Sequence, residues 1–158
     1  MTIHKAANKG DLVAVKAFLL KGTDVDARDA YGRTPLMYMV SDPESVRYLL
    51  AQGADANARD ELGETALMKA AWVGQLAAVR LLVEKGADVN ARNTAGETPL
   101  MRAVRNLDVV EYLVEQGADV NAKDGQGESV LLKASVSGRV RTVQYLKHKG
   151  AAVEGDAQ

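Results

Sequence analysis

The sequence predicts an all-α repeat solenoid, in which helix–turn–helix units stack side by side and project β-hairpin fingers. Three observations predict it. Residues 32–37, 63–68 and 96–101 read GRTPLM, GETALM and GETPLM. Glycines mark out the same ten-residue interval four times: Gly22 to Gly32, Gly53 to Gly63, Gly86 to Gly96 and Gly117 to Gly127. The stretches between those intervals alternate between 21 and 23 residues, so the unit is 31 or 33 residues long. Self-similarity at such a period is the mark of stacked supersecondary units.

Each unit begins with a short helix announced by a hydroxyl residue: Thr34-Pro35, Thr65, Thr98-Pro99 and Ser129. The hydroxyl can accept a hydrogen bond from an orphan N–H, and proline suits the first helical position. A second helix follows, with apolar residues at helical spacing such as Val79, Leu82 and Val83, or Val110, Leu113 and Val114. It ends at Gly53, Gly86, Gly117 or Gly150, where a left-handed residue closes a helix most easily. Between the helices, AWVGQLAAV in one unit becomes MVSDPESV or AVRNLDVV in others. The shortening therefore falls at the helix–helix turn, with Asp42-Pro43 and Asn106 as caps for the second helix. The constant ten-residue half is rich in Gly, Asp and Asn and reads as a projecting two-stranded hairpin. Helices of about eight to ten residues are marginal alone. Stacking them buries one continuous core.

The segments TPLMYM, TALMKA, TPLMRA and SVLLKA, with the endings GADANARD, GADVNARN and GADVNAKD, resemble the ankyrin repeat family. The resemblance covers about residues 2–153 and implies five units: 1–29 as an N-terminal cap, 30–60, 61–93, 94–124, and 125–153 as a C-terminal cap. A tail at 154–158 completes a single domain. One departure is local. The histidine that the family carries after TPL is Met37, Met68 and Met101 here, Leu132 in the last unit, and histidine only at His4. In the family that histidine bonds loops to helices, whereas methionine is a flexible apolar filler. The methionines read as packing residues, with a Met-lined groove as the alternative.

Composition narrows the functions. The formal charge is −1, which gives no global attraction to nucleic acid or to an anionic membrane. Cysteine is absent, which removes disulfides, thiolate metal sites and cysteine nucleophiles. No apolar run approaches the about 18 residues of a membrane span, and the first twenty residues interrupt any signal-like run with Lys, Asn and Asp. A soluble, cytoplasmic, monomeric protein is expected.

No catalytic constellation emerges. His4 and His148 lie in opposite terminal units of a linear stack and cannot meet. His148 suits a helix C-terminus, where a cation complements the dipole. Asp24, Asp55, Asp88 and Asp119 form one column, and Asp26, Asn57, Asn90 and Asn121 another. Columns with the period of the repeat read as turn formers bonding their own backbone. Arg28, Arg59, Arg92 and Lys123 form a basic stripe, read as part of the framework. GQGES at 125–129 lacks the lysine of a phosphate loop. No cofactor, metal or enzymatic activity is expected.

Function is then sought at exposed positions that differ between units. The resemblance implies a concave surface made of fingertips and first helices, on which ankyrin proteins usually bind partners. The residues expected there are Tyr31, Arg33, Tyr38, Leu62, Glu64, Lys69, Trp72, Glu97, Arg102 and Arg105. Tyr38, Lys69 and Arg102 should form a row, with Trp72 near Arg105. Aromatic residues among cations have the composition of interface hot spots. The expected partner is a protein or peptide with acidic and apolar side chains, bound without catalysis. Trp72 has a second possible place, packed beneath the turn Trp72-Val73-Gly74-Gln75. Two other roles use the same surface: an engineered or idealised ankyrin scaffold without a natural partner, and a regulatory subunit or inhibitor of an enzyme. The most basic unit is the last, with Lys133, Arg139, Arg141, Lys147 and Lys149, which reads as a polar end cap.

Overall fold

The computed structural model describes residues 1–153; the tail expected at 154–158 lies outside the described residues. Among the described residues there are ten helices in five pairs: α1 (Ile3–Asn8) and α2 (Leu12–Leu20), α3 (Pro35–Tyr38) and α4 (Pro43–Ala51), α5 (Ala66–Val73) and α6 (Leu76–Glu84), α7 (Pro99–Arg102) and α8 (Leu107–Glu115), α9 (Val130–Val136) and α10 (Val140–His148). Odd-numbered helices pack against one another in one row. α4, α6, α8 and α10 pack in a second. α2 joins that row through Lys16, whose ammonium lies 4.7 Å from the centre of the Tyr48 ring. Leu36, Leu67 and Leu100 of the first row and Leu49, Leu82 and Leu113 of the second are fully buried. Each contributes about 1.5–3 kcal/mol by leaving water, which offsets the poor intrinsic stability of such short helices.

Most of the expected caps form. Oγ1 of Thr65 and Thr98 and Oγ of Ser129 accept from the N–H groups of Met68, Met101 and Leu132. Thr34 differs: its hydroxyl is buried without a partner at the head of α3. Asp42 caps α4 through the N–H groups of Glu44 and Ser45. Asn106 does not cap α8 with its side chain; its amide donates instead to the Ala71 carbonyl of the neighbouring pair, at 3.3 Å. Second helices close as expected. At the end of α4, Gly53 has φ +89, its N–H bonds the Leu50 carbonyl, and the Ala54 N–H bonds Leu49. This is the six-to-one, five-to-two pattern that satisfies the last carbonyls of a helix.

Two expectations are corrected. The shorter units are shortened in the first helix and not at the turn: α3 and α7 have four residues, where α5 has eight and α9 seven, and the turns 39–42 and 103–106 that follow them are longer than 74–75 and 137–139. The fingers, read as two-stranded hairpins, contain no strand among the described residues and only one isolated bridge, Lys123 to Ser129. Side-chain acceptors explain why. Asp29 Oδ1 takes the N–H groups of Tyr31 and Arg33. Asp60, Asn93 and Asp124 bond their own tips in the same way. Short polar side chains that bond nearby backbone compete with a ladder, and each finger becomes a closed turn.

Adjacent fingers are bonded to each other. The Glu61, Thr94 and Gly125 N–H groups donate to the Tyr31, Leu62 and Ala95 carbonyls of the preceding tip. Asp24, Asp55, Asp88 and Asp119 hold their own turns, as expected of turn formers. The second column does not. Asn57, Asn90 and Asn121 each accept from a backbone N–H of the next pair, at Asp88, Asp119 and Ala152, and donate to the Gly86, Gly117 and Gly150 carbonyls. The basic stripe is framework too, since Arg28, Arg59 and Arg92 donate to the carbonyls of Arg59, Arg92 and Lys123.

Candidate interaction groove

The unequal helix lengths create relief on the row of first helices. α3 and α7 end at Tyr38 and Arg102, so the last turn of α5 runs past both neighbours. That turn carries Trp72 and Val73, which are 57% and 50% exposed. Trp72 therefore stands out from the surface and is not packed beneath the turn that follows it. A cleft of about 450 Å³ lies on one side, floored by Met37 and Met68 and walled by Tyr38, Ser41 and Trp72. A second, of about 210 Å³, lies on the other side, floored by Met101 and Leu132 and walled by Trp72, Arg105 and Val136. Met37, Met68 and Met101 are buried, and as floors of the two clefts they also shape the groove. Only the first pair retains the polar arrangement, with His4 Nε2 lying 2.7 Å from the Ala27 carbonyl oxygen of its finger.

Trp72 sits among cations. The guanidinium carbons of Arg102 and Arg105 are 5.9 and 5.6 Å from its ring centre. At an exposed site such contacts are worth about 0.5–1 kcal/mol each. Arg33 lies similarly between Tyr31 and Tyr38, at 5.2 and 5.8 Å.

The expected row of Tyr38, Lys69 and Arg102 is divided by carboxylates. Lys69 lies 3.1 Å from Asp60 and 2.8 Å from Glu64. Arg102 pairs with Glu64 and, at 3.1 Å, with Glu97. Lys133 reaches Glu97 at 3.7 Å, Asp124 at 2.8 Å and Glu128 at 3.0 Å. Arg33 approaches Asp60 at 3.8 Å. The result is an alternating chain of charges across four neighbouring pairs. Tyr38 turns away from it and donates its hydroxyl to Asp29. Partly exposed ion pairs contribute about 0–1 kcal/mol each, so the chain orients the groove more than it stabilises the fold.

At the Lys133 end of the chain two members titrate unusually. The Lys133 hydrogen bond holds the Asp124 carboxyl below the ordinary carboxylate range, against the opposing effect of burial. Burial opposes the charge on Lys133, yet Asp124 and Glu128 together raise its pKa. At the other end, burial pushes Asp29 upward, but the Tyr38 hydroxyl and the N–H groups of Arg33 and Tyr31 outweigh it.

Tyr31 and Leu62, at adjacent fingertips, are 62% and 58% exposed. The structure thus brings Glu64, Lys69, Trp72, Glu97, Arg102 and Arg105 together, joins Arg33 and Tyr38 to them along the first cleft, and places Tyr31 beyond these at the first fingertip. Sequence reasoning passed over Asp60 and Asp124, whose carboxylates neutralise Lys69 and Lys133. The signal was available: each precedes a glycine by one to three residues, as a residue that folds back onto its own tip does.

A family model described as "Ankyrin repeats (3 copies)" matches residues 3–93 and 88–156. The chain belongs to the ankyrin repeat family. Ankyrin repeats generally mediate protein–protein interaction. No curated protein matches the chain. Among the described residues of this ankyrin protein, no helix is long and apolar enough to cross a membrane, and no group of three or more His, Asp or Glu side chains could hold a metal ion.

Proposed function

We propose that this chain is a non-catalytic ankyrin module, built of the five units 1–29, 30–60, 61–93, 94–124 and 125–153, that captures a protein or peptide in the groove on its first helices. It works as a cytoplasmic monomer, and its ligand combines apolar with acidic side chains. One observation carries this reading: Trp72 is more than half exposed and divides two clefts, with two arginines over its ring. A large aromatic side chain held out in this way is costly in water and is the usual anchor of an interface. The clefts exist because short and long helices alternate, so the site needs no rearrangement on binding. A preformed surface lowers the ordering cost of association.

The charge chain sharpens the expected partner. Lys69, Arg102 and Lys133 already hold carboxylates of this chain, so an acidic ligand gains little from them. Apolar contact with Trp72, Met101 and Val136 dominates instead. Replacing Trp72 by Ala should weaken capture of the partner by about tenfold or more, measured by titration calorimetry. Unchanged affinity, with the chain still folded, would discard the groove.

A further inference from the structure

Beyond the second cleft the groove turns a corner. Arg105 walls that cleft and also a neighbouring one of about 280 Å³, whose lining includes Arg139, Arg141, Leu107 and Val140. We infer that this third cleft is a docking site for acidic side chains: it receives two or more carboxylates of a protein segment whose apolar residue occupies the second cleft, beside Trp72. The inference rests on the groove being a docking surface, and it adds residues and a direction to it.

Four observations carry it. Arg105, Arg139 and Arg141 are all exposed, and among the described residues none of them forms an ion pair. In this they differ from Lys69, Arg102 and Lys133, which are all neutralised. No carboxylate lines their cleft. Asp108, the acid closest in sequence to Arg105, spends Oδ1 on the Val109 N–H. The three arginines are also held in register. Arg105 lies in the α7–α8 turn, while Arg139 and Arg141 flank the start of α10. The buried Thr142 hydroxyl donates at 3.1 Å to the Val104 carbonyl, one residue from Arg105, which ties the two segments together. Three guanidinium groups close together repel one another, and the first N–H groups of α10 have no side-chain cap. Anionic oxygens relieve both, because carboxylates bond guanidinium forks well.

Apolar lining favours a protein segment over a nucleic acid strand. Val136 and Val140 are 81% and 65% exposed beside the arginines, and Leu107 shares their cleft. A nucleic acid would need a continuous track of cations along the stack. Arg28, Arg59 and Arg92 are instead committed to backbone carbonyls.

The test is selection of a random dodecapeptide display library on the full chain, followed by fluorescence polarisation of one enriched peptide. Enriched peptides should carry an apolar residue with at least two Asp or Glu to one side of it. Converting those acids to Asn and Gln should weaken binding about tenfold on the parent chain. In the Arg139→Gln/Arg141→Gln variant that difference should disappear. Circular dichroism of the variant checks that it is folded. Peptides enriched without acids, or an acid-to-amide loss equally large in the variant, would overturn the acidic site while leaving the groove in place. Enriched peptides that bind Trp72→Ala as tightly as the parent would overturn the groove itself, and so would a library that enriches nothing. Displacement of the peptide by a twenty-nucleotide oligothymidylate at stoichiometric concentration would assign the arginines to nucleic acid instead.

Discussion

The long helix α5 and the short helix α7 are neighbours with nearly the same opening sequence, and they do opposite things. Residues 98–102 read TPLMR, and the chain leaves the helix at once, with its apolar residues spent on the core. Residues 65–69 read TALMK, and the helix continues for another turn, which buries Ala70 and Ala71 and leaves Trp72 and Val73 exposed. Leu67 and Leu100 are equally buried, so the stack is indifferent to the difference. The surface is not. The extra turn lifts Trp72 into solvent, and its absence in α3 and α7 hollows out a cleft on each side. A length variation that a stacked fold tolerates thus becomes the relief on which a partner can dock.

The comparison breaks most severely where the two helices are alike. Leu100→Ala removes a fully buried side chain from a helix with only four residues to hold it. It should cost about 3 kcal/mol in urea unfolding, and a loss below about 1 kcal/mol would show that α7 is not part of the cooperative core.

Next in size is the joint between long and short. Gly74 ends α5 in the left-handed region, at φ +79. A Cβ added there would sit 2.3 Å from Oδ1 of Asn106, which follows the short helix α7. Gly74→Ala should cost about 1–2 kcal/mol from the backbone conformation and the clash together. Adding Asn106→Ala should recover only the clash, and full recovery would mean that the backbone at Gly74 is unstrained.

Much of this architecture is legible in the sequence, because its signals are local. Glycine spacing, the hydroxyl residues before each first helix and the apolar period need no knowledge of neighbours. What is not legible depends on which units meet. The column of Asn57, Asn90 and Asn121 has the composition of a turn former, yet its amides bond across to the next finger, about thirty residues away in the chain. The hairpins fail for a reason within each finger: Asp29, Asp60, Asn93 and Asp124 draw the tip N–H groups into closed turns. Lys69 and Arg102 look free in sequence because the carboxylates that claim them, Asp60 and Glu64, come from fingers folded back over the helices. Arg105, Arg139 and Arg141 converge only once α10 is pinned to the α7–α8 turn. Their spacing carries no such signal.

A smaller effect separates charge from shape in the groove. Asp124 bonds its own tip in the same way as Asn93 does, and adds the bond to Lys133. Asp124→Asn should therefore cost no more than about 1 kcal/mol. Because the folded-state pKa of Asp124 lies below its unfolded value of 3.8, its contribution is complete above about pH 4 and is lost as the pH falls through the folded pKa. The stability gap between parent and variant should be widest near neutrality and close in acid, as urea titrations at several pH values would show. A gap independent of pH would assign the effect to packing.

A modest effect on stability should be the largest on function. Trp72 is more than half exposed and lies outside the buried core, so Trp72→Ala removes its contacts with Arg102 and Arg105 and the partial burial of its ring. Each is worth about 0.5–1 kcal/mol at an exposed site, and the burial of apolar surface lost with the ring is modest. Thermal unfolding should shift by no more than a few degrees. Val73, equally placed on the extra turn but without a ring, offers the control: Val73→Ala should spare both stability and partner capture. If Trp72→Ala instead destabilised the chain as much as Leu100→Ala, Trp72 itself would belong to the core with Ala70 and Ala71, and the alternation of long and short helices would be a matter of packing alone.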